Sequence, residues 1–251
     1  MIDLYFSSTP NGIKVLIFLE EFSIAYKANH VSTLAGEQFT PEFLRISPNA
    51  KIPAIVDQDP SGRSGPINVF ESGAILLYLA GKLPSPSPLE AADWPQVISW
   101  LFWQMASLGP VSGQRAHFDR HAPPSIDKYA LDRFDRELAR LYTVLDIALQ
   151  DREFVGDSFS IADIAIYPWL RNHEMLGRNL DAYPSLLDWF TRVTQRPSVV
   201  KAYALAAEHG LKWPENITEE QRRLLFACTE EDMRDAYNGK IAPWPDNPVR
   251  N

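Results

Sequence analysis

A chain of 251 residues with 45% hydrophobic and 12% aromatic content carries enough apolar material for one large packed domain or two modest ones, so disorder is not the default. Its formal charge of −8, with acids and bases intermixed, offers no basic stripe for nucleic acid, and its longest apolar runs fall far short of the ~20 residues that span a bilayer. A single cysteine, Cys228, excludes an intrachain disulfide framework and a four-thiolate metal site. It reads as a small buried or half-buried apolar side chain. The N-terminus lacks the basic-then-apolar pattern of a secretion signal, and the expectation is a soluble, cytoplasmic protein with no membrane and no nucleic-acid partner.

Ile2 to Phe6 predicts a short buried strand, and Val15, Leu16, Leu19 and Phe22 recur at helical spacing just after Ser8-Thr9-Pro10-Asn11-Gly12. Tyr26 to Val31 predicts a second strand, and Thr40-Pro41-Glu42 places a capping residue and an N1 proline ahead of a short helix holding Phe43, Leu44 and Ile46. Ala54 to Val56 and Ile67 to Phe70 predict two brief strands around the turn Pro60 to Pro66, followed by a helix from about Ser72 to Lys82. The order is β-α-β-α-β-β-α. The alternating prolines of Leu83-Pro84-Ser85-Pro86-Ser87-Pro88 then favour an extended connector. This divides the chain into domain 1–82, linker 83–89 and helical domain 90–251, with residues 211–251 as an extension.

Beyond the connector, Glu90 to Leu108 predicts one helix. A longer one carries Ile126, Ala130, Phe134, Leu138, Leu141, Leu145 and Leu149 at steps of three and four. Ser160-Ile161-Ala162-Asp163 has capping-box form, flanked by Phe159 and Ile164 as a staple. Pro184 precedes another helix, and Pro197 opens one that reaches His209. Thr218 and Thr229 are two further N-cap signals ahead of a Pro/Trp-containing tail, Ala242 to Asn251.

Three stretches can do chemistry, and each has a plain structural reading beside it. The Thr9 to Gly12 turn sits at a helix N-terminus, where leading amides and the positive dipole end favour an anion, a thiolate included; an ordinary capped turn uses the same residues. Pro53, ahead of a buried strand, removes a ladder donor, and a cis bond there would turn the Ile52 backbone outward to pair with an extended peptide; an ordinary trans proline opening a strand is the bland reading. At Phe70-Glu71-Ser72-Gly73, Ser72 and the first helical amides can receive a carboxylate and Glu71 an ammonium group; a simple helix cap looks alike.

In this order and on this frame, the residues resemble the glutathione transferase superfamily. The resemblance rests on Thr9-Pro10-Asn11-Gly12, Gln38, Asn49-Ala50-Lys51-Ile52-Pro53, Glu71-Ser72 and the Ser160 to Asp163 box, and covers residue 1 to about residue 209. Phe43-Leu44-Arg45-Ile46-Ser47-Pro48-Asn49, Glu71-Ser72-Gly73-Ala74-Ile75-Leu76-Leu77-Tyr78-Leu79 and Trp100-Leu101-Phe102-Trp103-Gln104 look like its bacterial nu class. The resemblance implies a thioredoxin-like N-terminal domain, an all-helical C-terminal domain, a homodimer, and a cleft binding two glutathione units or the oxidised dimer as cosubstrate. It further implies glutathione-dependent disulfide reduction. Thr9 and Asn11 would face the sulfur, and Ile52, beside Pro53, would pair with the cysteinyl backbone. Glu71 and Ser72 would hold the γ-glutamyl end, Gln38 and Lys51 would lie near the glycyl or γ-glutamyl polar groups, and Arg133 would contact the second glutathione, unless it is a solvated surface arginine.

Asn11 cannot take a proton, so the expected mechanism is stabilisation of the glutathione thiolate by donated hydrogen bonds and the helix dipole. Tyr5 is a rival to Thr9 and Asn11. His117 as an acid-base group is supported by no motif, the aromatic stretch Trp100, Phe102, Trp103 and Phe118 reads mostly as core or dimer contact with part of it able to wall a site for an apolar second substrate, and the five histidines show no metal spacing. Two other readings stay open: conjugation or thiolytic ether cleavage of an electrophilic aromatic, and a non-catalytic glutathione-binding regulator. The extension either folds back over the cleft or braces the helical domain.

Overall fold

The structure, a computed structural model, describes residues 1–62, 64–84, 91–122, 128–208, 218–226 and 228–240. Ser85 to Pro88 of the expected connector, Ile126, His209, Trp213 and the tail Ala242 to Asn251 lie outside the described residues.

Four strands, β1 (Ile2–Phe6), β2 (Tyr26–His30), β3 (Ala54–Asp57) and β4 (Ile67–Phe70), form one mixed sheet in the order β2-β1-β3-β4. On β1 the alternating Ile2, Leu4 and Phe6 are buried and Asp3 and Tyr5 half-buried, the two-residue period of a strand. β1 pairs in parallel with β2 and antiparallel with β3, which pairs antiparallel with β4. The parallel pair needs a crossover, and α1 (Pro10–Glu21) supplies it. This helix is buried continuously from Gly12 to Leu19, so it has no solvent face along that stretch. Thr40 Oγ1 accepts from Phe43 N at 3.3 Å to start α2 (Pro41–Leu44), and α3 (Ser72–Ala80) follows β4 directly. This is the thioredoxin-like domain.

The second part is helical: α4 (Trp94–Trp103), α5 (Gly109–Arg120), α6 (Tyr129–Ala148), α7 (Ile161–Leu170), α8 (Pro184–Thr194) and α9 (Pro197–Glu208). Between α4 and α5 the backbone takes a π-helical turn over Gln104–Leu108, where the sequence predicts an unbroken α-helix to Leu108. A Cβ on Gly109 would lie 2.7 Å from Gln104 Nε2, so a larger residue there would have to displace the Gln104 side chain. Leu138, Leu141 and Leu145 form the buried stripe of α6, and Ser160 caps α7 through its box with Asp163.

The chain divides into two compact units, Met1–Tyr78 with Lys201–Asn251, and Leu79–Val200. This departs from the sequence division, which assigned 90–251 to the helical domain. The described part of the extension, α10 (Glu219–Phe226) and α11 (Glu230–Tyr237), belongs to the first unit. Leu224 and Ala236 share a buried cluster with Phe39, Leu44 and Ala50, against which Met233 packs, and Tyr237 OH donates to Pro48 O at 2.6 Å. Apolar periodicity exposes these side chains as a helical face but carries no information on which surface they cover. Cys228, between α10 and α11, is exposed rather than buried, and partial burial and then Asp232 push its thiol pKa up.

Candidate functional site

Of the residues singled out by sequence, eight lie in the first unit: Thr9, Asn11, Gln38, Lys51, Ile52, Pro53, Glu71 and Ser72. Arg133 lies in the second, exposed on α6, where it adds to the stronger pull of Arg140 in holding Glu137 below the usual carboxylate range.

At the head of α1, Thr9 is the N-cap, with extended φ −101° and ψ 159°, and Pro10 occupies the first helical position. Thr9 Oγ1 accepts from Gly12 N at 3.3 Å, and Ile13 N donates to Thr9 O at 3.0 Å. A hydroxyl that accepts one hydrogen bond keeps its own proton to donate. Gly12 is dictated by close approach, because a Cβ there would collide with the Ser7 carbonyl oxygen. Ser7 Oγ donates to Val31 O, and Ser8 Oγ donates to Ala206 O at 2.7 Å, so both hydroxyls before the turn serve the fold. Tyr5 packs edge-on against Phe43 at 6.3 Å between centroids, and burial, then Asp3, raises its pKa. A phenol placed so is poorly suited to ionise.

The Ile52-Pro53 peptide is cis. Ile52 stands ahead of β3, whose pairing with both neighbours begins at Ala54. The preceding loop is held by Ser47 Oγ, which donates to Lys51 O at 2.8 Å, and by Ala50 in the left-handed region at φ 52°. Gln38, in the 3₁₀ turn Glu37–Phe39, is 4% exposed, and its Oε1 has no hydrogen-bond partner among the described residues. An acceptor so buried costs free energy until something donates to it.

Glu71 adopts φ 70°, a left-handed conformation that is uncommon for a residue with a side chain and is retained where the surroundings over-determine it. Its Oε1 accepts from Asn49 Nδ2 at 3.2 Å, which ties it to the loop before Lys51. Ile75 N donates to Glu71 O at 2.9 Å, so α3 starts at Ser72 and its leading amides point out of the helix end. Beneath Ser72 lies a residue that the sequence reading passed over. Lys14 is 0% exposed and its Nζ donates to Ser72 Oγ at 3.2 Å. Burial pulls its pKa down to about 7, and the Glu71 carboxylate acts in the opposite sense. The available signal was a lone lysine inside Ile13-Lys14-Val15-Leu16-Ile17-Phe18-Leu19, a run apolar on every helical face.

The arrangement provides donors at a helix head, an outward polar edge before β3, and a carboxylate and hydroxyl at a second helix head. His117 packs against Phe118 and His121, and no group of three or more metal-ligating side chains occurs among the described residues.

Residues 4–81 match the sequence profile of the glutathione S-transferase N-terminal domain, and residues 105–197 match that of the glutathione S-transferase C-terminal domain. The chain is 46% identical over 203 residues to the disulfide-bond oxidoreductase YfcG of Escherichia coli, covering 80% of this chain and 94% of that protein. It is 37% identical over 248 residues to the disulfide-bond oxidoreductase YghU of the same organism, covering 93% and 84%. A crystal structure of a glutathione transferase from Pseudomonas putida, with one glutathione disulfide bound per subunit, superimposes with a TM-score of 0.73 at 40% identity, covering 80% of this chain and 90% of that one.

Proposed function

Because the chain belongs to the glutathione S-transferase superfamily, within its nu class, we propose that it reduces disulfide bonds with glutathione as the electron donor. The observation that carries this reading is the Thr9 to Gly12 head of α1, an anion-favouring turn that contains no thiol. Its close relatives are disulfide-bond oxidoreductases. The reacting sulfur is therefore the ligand's.

A glutathione thiolate attacks one sulfur of the substrate disulfide, forming a mixed disulfide and releasing the other sulfur as a thiolate that takes up a proton. A second glutathione thiolate attacks the glutathione sulfur of that mixed disulfide, releasing the second substrate thiol and oxidised glutathione. A free thiol of pKa ~8.5 is a few per cent ionised at neutral pH, so the enzyme's task is to favour the anion. The Thr9 hydroxyl, Asn11 and the dipole of α1 do this by donation, each contributing ~0.5–2 kcal/mol, and ~1.4 kcal/mol lowers a pKa by one unit.

The buried Gln38 acceptor and Lys51 receive polar groups of the tripeptide backbone, Ile52 beside Pro53 pairs with the cysteinyl unit, Glu71 takes the γ-glutamyl ammonium, and Ser72 with the α3 amides takes its carboxylate. Arg133 is assigned to the second glutathione. A homodimer fits Phe102, which is 58% exposed for so large an apolar side chain. No described helix is long and apolar enough to cross a membrane, and glutathione as reductant suits the cytoplasm.

The test is turnover of a small dialkyl disulfide with glutathione, followed by release of oxidised glutathione, beside an electrophilic aromatic as competitor reaction. Disulfide reduction with kcat/KM well above that for the aromatic is expected. The reverse ranking would replace this reading with conjugation, and glutathione binding without turnover of either would replace it with a regulatory role.

A further inference from the structure

We propose that the C-terminal extension is a positioning element of the glutathione site, in which α10 and α11, through Leu224 and Ala236, hold in place the two segments that carry Gln38 and Lys51. The proposal rests on the reading of Gln38 and Lys51 as glutathione ligands, and it gives the extension a role other than the two that the sequence leaves open.

Gln38 and Lys51 stand on backbone with little support of its own. Gln38 lies in the 3₁₀ turn Glu37–Phe39, entered through Gly36 at φ 74°, and Lys51 lies in the loop ahead of β3, directly after Ala50 at φ 52°. Short turns and loops outside sheet ladders and long helices open at low free energy unless something packs on them. The extension packs on both. Phe39, next to Gln38, and Ala50, next to Lys51, are buried in one cluster with Leu44, and the other two buried members are Leu224 of α10 and Ala236 of α11. A Cβ on Gly36 would lie 3.4 Å from Leu224 Cδ1, so the same leucine lies against the entry to the Gln38 turn. Tyr237 OH donates to Pro48 O at 2.6 Å, which attaches α11 to the loop just ahead of Lys51. Burial and then Asp232 raise the Cys228 thiol pKa, and Lys51 is among the charges that pull it back, so Lys51 lies within electrostatic reach of Cys228 between the two helices.

α10 and α11 act together, because Arg223 on α10 pairs with Asp232 on α11 and Asp232 also closes the capping box with Thr229. Their joint apolar face therefore covers the neighbours of Gln38 and the neighbour of Lys51 at once. A ligand that uses both side chains needs the two segments at a fixed separation, and the shared buried contact sets that separation before the ligand arrives, so less ordering is left to binding. The exposed Tyr237 bond is the lesser part of this contact and the buried Leu224 and Ala236 the greater. With Glu71 and Ser72 assigned to the γ-glutamyl end, the Lys51 ammonium is left for the glycyl carboxylate, and loosening the extension should be felt chiefly at the glycyl end.

The experiment is calorimetric titration of the full-length wild type, Leu224→Ala, Ala236→Asp and Leu224→Met. The two ligands are glutathione and γ-glutamylcysteine, which lacks only the glycyl residue, and amide hydrogen exchange over residues 36–51 reads the two segments directly. In the wild type, glutathione is expected to bind at least about tenfold more tightly than γ-glutamylcysteine. Leu224→Ala and Ala236→Asp are expected to speed exchange over residues 36–51 and to weaken glutathione about tenfold while changing γ-glutamylcysteine by less than about threefold. They should raise KM for glutathione with kcat at saturation held within about twofold. Leu224→Met, which keeps the apolar volume, is expected to stay within about twofold of wild type.

If Leu224→Ala and Ala236→Asp retain the wild-type preference, or weaken both ligands equally, the extension does not position Gln38 and Lys51, and the proposal is overturned with the reading of those two residues intact. A wild type that binds the two ligands equally, or binds neither, removes that reading itself and the proposal with it. Failure of both variants to fold, judged by circular dichroism, makes the extension part of the fold's own core and likewise overturns it. Leu224→Met losing the preference as far as Leu224→Ala does means that apolar packing is not the cause, which also overturns it.

Discussion

Each compact unit buries one ionisable side chain near the start of a helix, and the two are treated in opposite ways. Asp163, in the first turn of α7, is 0% exposed and accepts from Trp189 Nε1 at 2.8 Å, Val155 N at 3.2 Å, Ser160 N at 3.0 Å and Ser160 Oγ at 3.1 Å. Its carboxylate is surrounded by the protein's own donors, two of them backbone amides. Lys14 hydrogen-bonds Ser72, itself 2% exposed, at the head of α3 next to Glu71 with its left-handed backbone. Burial works against the charged form of both side chains, and for Asp163 four donated bonds offset part of that cost.

The largest effect should come from the enclosed group. Asp163→Ala leaves four donors without their acceptor and is expected to cost about 3–5 kcal/mol, read from denaturant unfolding. A loss below about 1 kcal/mol would show that the two buried charges do not differ in this way.

Asn11→Ala comes next. Removing the donor proposed for the thiolate is expected to lower kcat/KM about 10–100-fold and to raise the pKa of bound glutathione in an ultraviolet titration. Tyr5→Phe is expected to stay within about twofold, and the reverse pattern would transfer the thiolate to Tyr5.

The pH dependence of stability sharpens the contrast because the signs oppose. Burial raises the Asp163 pKa from the ordinary 3.8 to about 6, with the four donated bonds pulling it back. The native state then holds that proton more tightly, so this group's contribution to stability falls as pH rises through that window. Lys14 titrates at about 7 in the fold against 10.5 in the open chain, so the native state binds fewer protons and its contribution rises as pH climbs from 7 toward 10.5. The stability of ligand-free wild type minus that of Lys14→Met should therefore increase above pH 7, with a limiting slope of about 1.4 kcal/mol per pH unit. A flat difference between pH 7 and pH 9 contradicts it.

The smallest effect belongs to the extension. Tyr237→Phe removes the exposed bond to Pro48 O and is expected to cost about 0.5 kcal/mol, with glutathione affinity changed less than about threefold.

What could be read in advance follows from how local each interaction is. The caps at Thr9, Thr40, Ser160 and Thr229 each close within three residues, so the side chains that make them appear in the sequence as short words. The chain order β-α-β-α-β-β-α was legible for a related reason, since each element shows its own period and turn residues within a few positions, whereas the sheet order β2-β1-β3-β4 came only with the structure. The π turn at Gln104–Leu108 was not, because helical periodicity hardly changes when one extra residue enters a turn.

Lys14 was missed because its meaning depends on Ser72, 58 positions away, and a lysine in a helix normally snorkels to solvent. The same holds for α10 and α11, whose apolar residues meet Phe39, Leu44 and Ala50 nearly two hundred positions earlier, and for Cys228, left exposed between them. By itself the sequence determined most of the elements, their order along the chain and their caps, because these depend on dihedral preference and on hydrogen bonds a few residues long. Only tertiary structure decided that Lys14 and Asp163 are buried and which groups they meet, because desolvation and long-range partners exist only once distant segments pack together.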